Sequence, residues 1–123
     1  QGIYPIGNPH ENSPVLVTTN FSITYFTVAS EVESSKVPSY IICTDAEGMS
    51  VLTAWAAEKF TAEKITEALR NSGIADIVEH RTITIPGYVA VLSGKLEELS
   101  TWKVSVGPRE ASGITAFLRN WKP

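Results

Sequence analysis

Val15-Leu16-Val17-Thr18-Thr19-Asn20-Phe21-Ser22-Ile23-Thr24-Tyr25-Phe26-Thr27-Val28-Ala29, residues 15–29, is the stretch on which the fold turns. Its first three residues form a continuous apolar run, as in a strand covered on both faces, and Thr18-Thr19-Asn20 ends it. From Phe21 the periodicity admits two readings. Phe21, Ile23, Tyr25 and Thr27 alternate as a strand does, while Ile23, Phe26, Ala29 and Val32 recur every three residues. Helix is the reading adopted, because Asn20 or Ser22 can cap its start and a parallel neighbour strand requires a crossover element here.

The same grammar of apolar run, polar turn and helical pattern recurs along the chain. Tyr40-Ile41-Ile42-Cys43 is the second strand, preceded by Val37-Pro38 as a stop signal and followed by the turn Thr44-Asp45-Ala46-Glu47-Gly48. A helix carrying Val51, Leu52, Trp55 and Ala56 comes next. Another begins at Thr61 as N-cap, has Glu63 in its first turn, an Ile65, Ala68 and Leu69 face, and stops at Gly73. Thr82-Ile83-Thr84-Ile85 is the third strand, and beyond Pro86-Gly87-Tyr88 a helix puts Val89, Leu92, Leu96 and Leu99 on one side. Lys103-Val104-Ser105-Val106 is the fourth; the turn Gly107 to Gly113 then leads to a helix capped by Ser112, with Ile114, Phe117, Leu118 and Trp121 on its apolar stripe.

The order β-α-β-α-α-β-α-β-α, with right-handed crossovers, predicts an α/β fold: a small doubly wound sandwich, flavodoxin-like or Rossmann-like, with a mostly parallel sheet of about four strands and helices on both faces. Residues 1–14 hold three of the seven prolines and two glycines and read as an extended arm or former interdomain linker, leaving 15–123 as the domain. The opening Gln1-Gly2-Ile3-Tyr4-Pro5 has neither an initiator methionine nor the layout of a signal peptide, as expected of a cut inside a longer protein.

With 123 residues the chain is sized for one core. Charged residues are 19%, hydrophobic ones 43%, and the formal net charge is -3, which excludes a disordered polyelectrolyte and offers no basic footprint for nucleic acid. Cys43 stands alone, so an internal disulfide, a four-cysteine metal site and a paired-thiol motif are all excluded, and a cytoplasmic compartment is expected. No apolar stretch approaches the roughly 20 residues of a membrane span.

In an open parallel sheet the turns after the strands share one rim, and ligands bind there where strand order reverses. Candidate ligand residues are therefore Thr18, Thr19 and Asn20; Thr44, Gly48, Met49 and Ser50; Gly87 and Tyr88; and Gly107, Pro108, Arg109, Glu110, Ala111, Ser112 and Gly113. Helices starting at Gly48-Met49-Ser50, Gly87-Tyr88 and Ser112-Gly113 would turn free N–H groups toward an anion. Arg109 is the sole cation expected on the rim, which suits one phosphodiester better than a polyphosphate. Taken singly, each of these residues is more often an ordinary cap or turn; the ensemble points to a site.

Neither G-x-G-x-x-G nor G-x-x-x-x-G-K-[ST] is present. Asp45 lacks the clustered acids of a phospho-acceptor or magnesium site. His10 and His80 belong to the opposite rim, about 15 Å away at the rise of a strand, so a base or axial ligand there is not expected. Cys43 in a central strand reads as inert, Trp55 and Met49 as core although Met49 borders the turn, and Asp45, Glu47 and Glu110 as solvated caps.

Four stretches carry a resemblance: Ser13-Pro14-Val15-Leu16-Val17-Thr18-Thr19-Asn20-Phe21-Ser22, Asp45-Ala46-Glu47-Gly48-Met49-Ser50, Ile85-Pro86-Gly87-Tyr88-Val89-Ala90 and Val106-Gly107-Pro108-Arg109-Glu110-Ala111-Ser112-Gly113. In order and over nearly the whole chain, they resemble the carboxyl-terminal domain of the large (gamma) subunit of the corrinoid iron-sulfur protein. The resemblance implies a methyl carrier of the reductive acetyl-CoA pathway, not catalytic alone, that binds cobalamin. Gly48, Ser50, Thr53, Gly87, Tyr88 and the Gly107 to Gly113 turn would face the corrin or its nucleotide tail, joined by Thr18, Thr19 and Asn20. Implied partners are the barrel of the small subunit, a methyltetrahydrofolate methyltransferase, acetyl-CoA synthase and a reductive activator ATPase; the family's iron-sulfur cluster falls outside this chain.

Asp-x-His-x-x-Gly, whose histidine replaces the lower base in many corrinoid domains, is missing here, so the expectation is a cobalt with no protein histidine beneath it. The competing expectations are another doubly wound ligand or regulatory domain, binding a flavin or similar, and a small hydrolase using Ser112 or Asp45.

Overall fold

A computed structural model describes residues 2–123, so Gln1 of the expected arm lies outside the described residues. In chain order the elements are β1 (Ile3–Ile6), β2 (Val15–Thr19), α1 (Ser22–Ser35), β3 (Ser39–Thr44), α2 (Val51–Ala56), α3 (Ala62–Ser72), β4 (Thr82–Ile85), α4 (Ser93–Ser100), β5 (Lys103–Val106) and α5 (Ile114–Arg119). Segments of 3-10 helix at Ile74–Asp76, Gly87–Leu92 and Ala111–Gly113 join them.

The sheet runs β1-β3-β2-β4-β5. Strands β2 to β5 are parallel, as expected, with Val15 opposite Tyr40, Leu16 opposite Thr84 and Thr82 opposite Lys103. The chain leaves β2 for β3 on one side, then returns past β2 to β4 on the other. Strand order therefore reverses at the carboxyl ends of β2 and β4.

A fifth strand adds to the four expected. Ile3–Ile6, inside the stretch read as an arm, pairs antiparallel with β3 from Ile3 opposite Ile42 to Ile6 opposite Ser39. Pro5 has no N–H to give a ladder and is tolerated because β1 is an edge.

Alternation along the strands divides the interior into two layers. Val15, Val17, Ile42, Ile83 and Ile85 pack against Ala54, Phe60, Ile65, Leu69 and Leu96 from the α2, α3 and α4 side. Leu16 and Ile41 pack against Val32, Ile114 and Leu118 from α1 and α5. Complete burial of side chains such as Phe60, Ile65 and Leu96 is worth about 1.5–3 kcal/mol each against exposure. Thr61 caps α3 by accepting from Lys64 N at 3.1 Å, and Gly73 closes it at φ 73°, both as the sequence reading has them.

Several helical details differ from expectation. In α1, Ile23 and Phe26 are 68% and 66% exposed, whereas Val32 and Ser35 are buried and Tyr25, Val28 and Ala29 pack on the sheet side. A spacing of three falls short of the 3.6-residue turn, so the row read as one face drifts around the helix. Its N-cap is Phe21, without a side-chain cap from Asn20 or Ser22. Trp55, read as core, is 42% exposed, and Ala54 is the buried residue of α2.

The helix expected after β4 is a kinked 3-10 segment followed by α4, which bury Val89 and Leu96 while Leu99 reaches solvent. Ser112 lies in a 3-10 turn and does not cap α5, which starts at Ile114 with Gly113 as its N-cap. Of the expected α5 stripe, Ile114 and Leu118 are buried; Trp121 lies beyond the helix end beside the His80 ring, with centroids 5.1 Å apart.

Candidate functional site

Among the described residues, only α1 and α5, with the turn before α5, roof one side of the five strands, and the cover is incomplete over β2 and β4. A cavity of about 330 Å³ opens there, at the reversal of strand order, between α1, the start of α2, and the segments Pro86–Tyr88 and Gly107–Ala111. Its walls are largely apolar, with Leu16, Val28, Val51, Ile85 and Ile114 among them.

Thr18 and Thr84 also line it. Leu16 is opposite Thr84 in the ladder, so Thr18, two residues along β2, shares their face of the sheet. Both threonines are nearly fully buried, and neither hydroxyl has a hydrogen-bond partner. An unmet buried hydroxyl costs about 1–3 kcal/mol, so a polar ligand atom or a water that reached either oxygen would recover free energy.

The rim is built by close approach of two turns. A Cβ on Gly87 would stand 2.6 Å from Gly107 O and 2.8 Å from Arg109 N, so only glycine lets the turns meet. Gly87 N donates to Pro108 O at 3.2 Å and Gly107 N to Ile85 O at 2.9 Å. Gly113 is held against Pro108 in the same way, where a Cβ would meet Pro108 Cβ at 2.8 Å.

On this frame the Tyr88 hydroxyl donates to the Glu110 carboxylate, which pushes the tyrosine pKa above its usual value. The Arg109 guanidinium lies over the same ring, 5.8 Å from its centroid. Arg109 is the basic side chain among the cavity residues.

Asn20 ties two rim turns together. Its Oδ1 accepts from Ala46 N at 3.0 Å and Gly48 N at 3.1 Å, and its Nδ2 donates to Asp45 Oδ1 at 3.3 Å. It therefore pins the turn after β3 to the end of β2. Glu47 and Gly48 take positive φ there, 56° and 75°, which glycine accepts without strain.

Of the expected ligand residues, the structure brings Thr18, Ser50, Tyr88, Gly107, Pro108, Arg109 and Ala111 to the cavity wall. Gly87, Glu110 and Gly113 support that wall from behind or above. Ser50 donates to Thr53 Oγ1 at 3.1 Å rather than capping α2, Met49 packs on the larger core, Thr19 is fully buried, and Ser112 is exposed. Asn20, Thr44 and Asp45 border a second, more polar concavity of about 740 Å³ near Cys43, Lys64 and Asn71.

Sequence reasoning missed Thr84 and the α1 residues Ile23, Thr24 and Thr27. The signal for Thr84 was the alternation Thr82-Ile83-Thr84-Ile85, which sets two hydroxyls on one face of an otherwise apolar strand.

His80 precedes β4 at the far end, with Nε2 2.7 Å from Ser13 O and Nδ1 accepting from Thr82 N at 3.1 Å. His10 likewise precedes β2. Burial pushes the Cys43 thiol up to about 11, in keeping with an inert side chain. Among the described residues no cluster of three or more histidine, cysteine or acidic side chains could hold a metal ion, and no helix is long and apolar enough to cross a membrane.

A family model described as CO dehydrogenase/acetyl-CoA synthase delta subunit matches residues 1–118. The corrinoid/iron-sulfur protein large subunit of Moorella thermoacetica is 57% identical over 114 residues, covering 93% of this chain and 26% of that protein. Acetyl-CoA decarbonylase/synthase complex gamma subunits from Methanopyrus kandleri and Methanocaldococcus jannaschii are 41% and 40% identical, covering 95% and 97% of the chain and 25% and 24% of those proteins. The chain thus spans about a quarter of the length of these relatives. Matched almost end to end, and with the rim stretches singled out above inside the matched region, the chain belongs to the CO dehydrogenase/acetyl-CoA synthase corrinoid-subunit family.

Proposed function

We propose that the chain is a cobalamin-binding domain of a methyl carrier, a platform for the cofactor rather than a catalyst by itself. The observation that carries this reading is the largely apolar cavity at the strand-order reversal, with one cation, Arg109, at its rim. Its relatives' names, a corrinoid/iron-sulfur protein large subunit among them, agree with it.

The residues present fit the group. At about 330 Å³ the cavity is at the small end of ligand sites, too small for a macrocycle but of a size for the base and sugar of a single nucleotide tail. Arg109 would meet the one phosphodiester of that tail. Ile23, Leu52 and Tyr88, exposed around the mouth, offer apolar surface to the ring. Asn20 and Gly87 keep the rim turns in place for it.

When bound, the corrinoid supplies a cobalt centre that takes a methyl group from a methyltetrahydrofolate methyltransferase and passes it to acetyl-CoA synthase. This chain's part is to seat and orient it. Neither His10 nor His80 lies near the cavity, so the cobalt has no protein histidine as lower ligand in this reading. Residues 15–123 form the binding unit together with β1, which pairs with β3 at the edge of its sheet. The barrel of the small subunit covers the outer face of the ring, a reductive activator ATPase restores stray oxidised cobalt, the iron-sulfur cluster lies elsewhere in the whole protein, and the compartment is the cytoplasm.

The test is an absorption titration of the full-length protein with cobalamin, and separately with flavin mononucleotide. Saturable cobalamin binding without flavin binding is expected; the reverse refutes the reading. Imidazole nitrogen coupling in the Co(II) electron resonance spectrum of the loaded protein would refute the absence of a histidine ligand.

A further inference from the structure

The outer strands of the sheet, β1 and β5, each turn alternate backbone groups away from their one neighbour. On β1, Cys43 N donates to Gly2 O at 2.7 Å, so Gly2, Tyr4 and Ile6 face β3 while Ile3 and Pro5 face outward, and Pro5 has no N–H to offer a further strand. On β5, Lys103 N donates to Arg81 O at 2.7 Å and Gly107 N to Ile85 O at 2.9 Å, so Val104 and Val106 carry the outward groups. Lys103 charges the start of that strand, but Val104 to Val106 hold no charge and no proline, a composition open to a partner strand.

The cover for this edge comes from the helix before it. Glu97 of α4 extends its side chain to the outward Val104 N–H, with Oε2 accepting at 2.8 Å. The link between α4 and β5 holds the arrangement: Leu96 is fully buried, Thr101 takes φ 64° with its N–H donating to Glu97 O at 3.0 Å, and Trp102 N donates to Ser100 Oγ at 3.1 Å. A strand added along β5 would have to displace a charge-assisted hydrogen bond, and two copies pairing across a two-fold axis would displace one on each.

We propose that Glu97 guards the open edge of the sheet, and that the edge it covers is a latent pairing surface for a second copy of this chain. Without the carboxylate, the Val104 N–H stands free beside that of Val106. Two β5 strands can then run antiparallel about a two-fold axis at Ser105, with Val104 of one copy opposite Val106 of the other. In that register Lys103 of one copy falls opposite Gly107 of the other, away from its own counterpart. Assembly stops at two copies, because Pro5 blunts the far edge of each sheet.

The test is sedimentation velocity on the full-length protein over a concentration series, joined to amide exchange at Val104 and Val106. In the unaltered protein the Val104 amide is expected to exchange at least about tenfold more slowly than the Val106 amide. Equal rates overturn the proposal whatever the variants do. Glu97→Ala is expected to tighten self-association at least about tenfold, to a dimer and no further, and Glu97→Gln, which keeps an acceptor oxygen, to tighten it less. Val106→Pro added to Glu97→Ala removes the second outward donor without touching a ladder bond, and is expected to restore the unassociated state. No gain in association with Glu97→Ala, an equal gain with Glu97→Gln, growth beyond a dimer, or a dimer that survives Val106→Pro each overturns the proposal.

Discussion

Replacing Gly87 with alanine and, separately, Gly94 with alanine makes the same chemical change in two places where the structure demands opposite outcomes. At Gly87 the new Cβ would stand 2.6 Å from Gly107 O, 2.8 Å from Arg109 N and 2.9 Å from Pro108 C, all backbone atoms that cannot swing aside. Forcing a methyl group into such a contact costs typically 1–3 kcal/mol. The movement that relieves it also lengthens the Gly87 N to Pro108 O bond, now 3.2 Å, worth about 1 kcal/mol. Destabilisation of about 3 kcal/mol is therefore expected.

At Gly94, in exposed α4, nothing lies within 4 Å of the added carbon, and alanine is the better helix former by about 0.5–1 kcal/mol. Urea unfolding followed by tryptophan fluorescence separates the two, since Trp102 is buried and reports the packed state. With a urea dependence of about 2 kcal/mol per molar, the Gly87→Ala midpoint should fall by about 1.5 M and the Gly94→Ala midpoint should rise slightly. Equal midpoints for the two variants would refute the claim that the two rim turns are locked by direct backbone contact.

Two further perturbations probe other parts of the structure. Asn20→Ala removes the acceptor of two backbone N–H groups, so amide exchange at Ala46 and Gly48 should quicken at least tenfold and stability fall by about 1–2 kcal/mol; unchanged exchange at both would show that the turn holds itself. Burial raises the Cys43 thiol from an ordinary 9.0 to about 11, so below pH 9 it is neutral folded and unfolded and contributes no pH dependence. Between pH 9 and 11 only the unfolded chain ionises, stability falls as pH rises, and Cys43→Ala should flatten that slope; identical slopes for the two proteins would contradict the burial of the thiol.

How much of the fold is legible in the sequence follows from how local each signal is. Thr61 and Gly73 delimit α3 because capping is decided within one helical turn. The four parallel strands are legible because buried strands are short apolar runs between turn residues. Ile3–Ile6 hid because Pro5 and the flanking glycines look like punctuation, and only the free edge of β3 makes an extended stretch into a strand. Ile23 and Phe26 misled because apolar recurrence identifies a helix more reliably than it identifies which side is covered.

The site was legible as a rim and not as a cavity. Thr18, Tyr88 and Arg109 follow from topology, since turns after parallel strands share one end of the sheet. Thr84 lies within a strand and reaches the cavity wall only because the helical cover above it is incomplete, a property of how α1 and the turn before α5 pack. Asn20 was found by position, but its hold on the turn after β3 was not legible, because a side-chain amide at a strand end can serve a neighbouring loop as readily as a ligand.

The uneven roof over the sheet also sets a mechanical asymmetry. Empty volume makes a folded protein compressible, and pressure favours whichever state eliminates it. Apolar walls leave the cavity beneath α1 and the turn before α5 poorly wetted, so the empty domain should yield to hydrostatic pressure there before it yields at the more polar concavity beside α3, which water can fill. A guest that fills the void would stiffen the softer flank and bring the two sides of the sheet into mechanical balance.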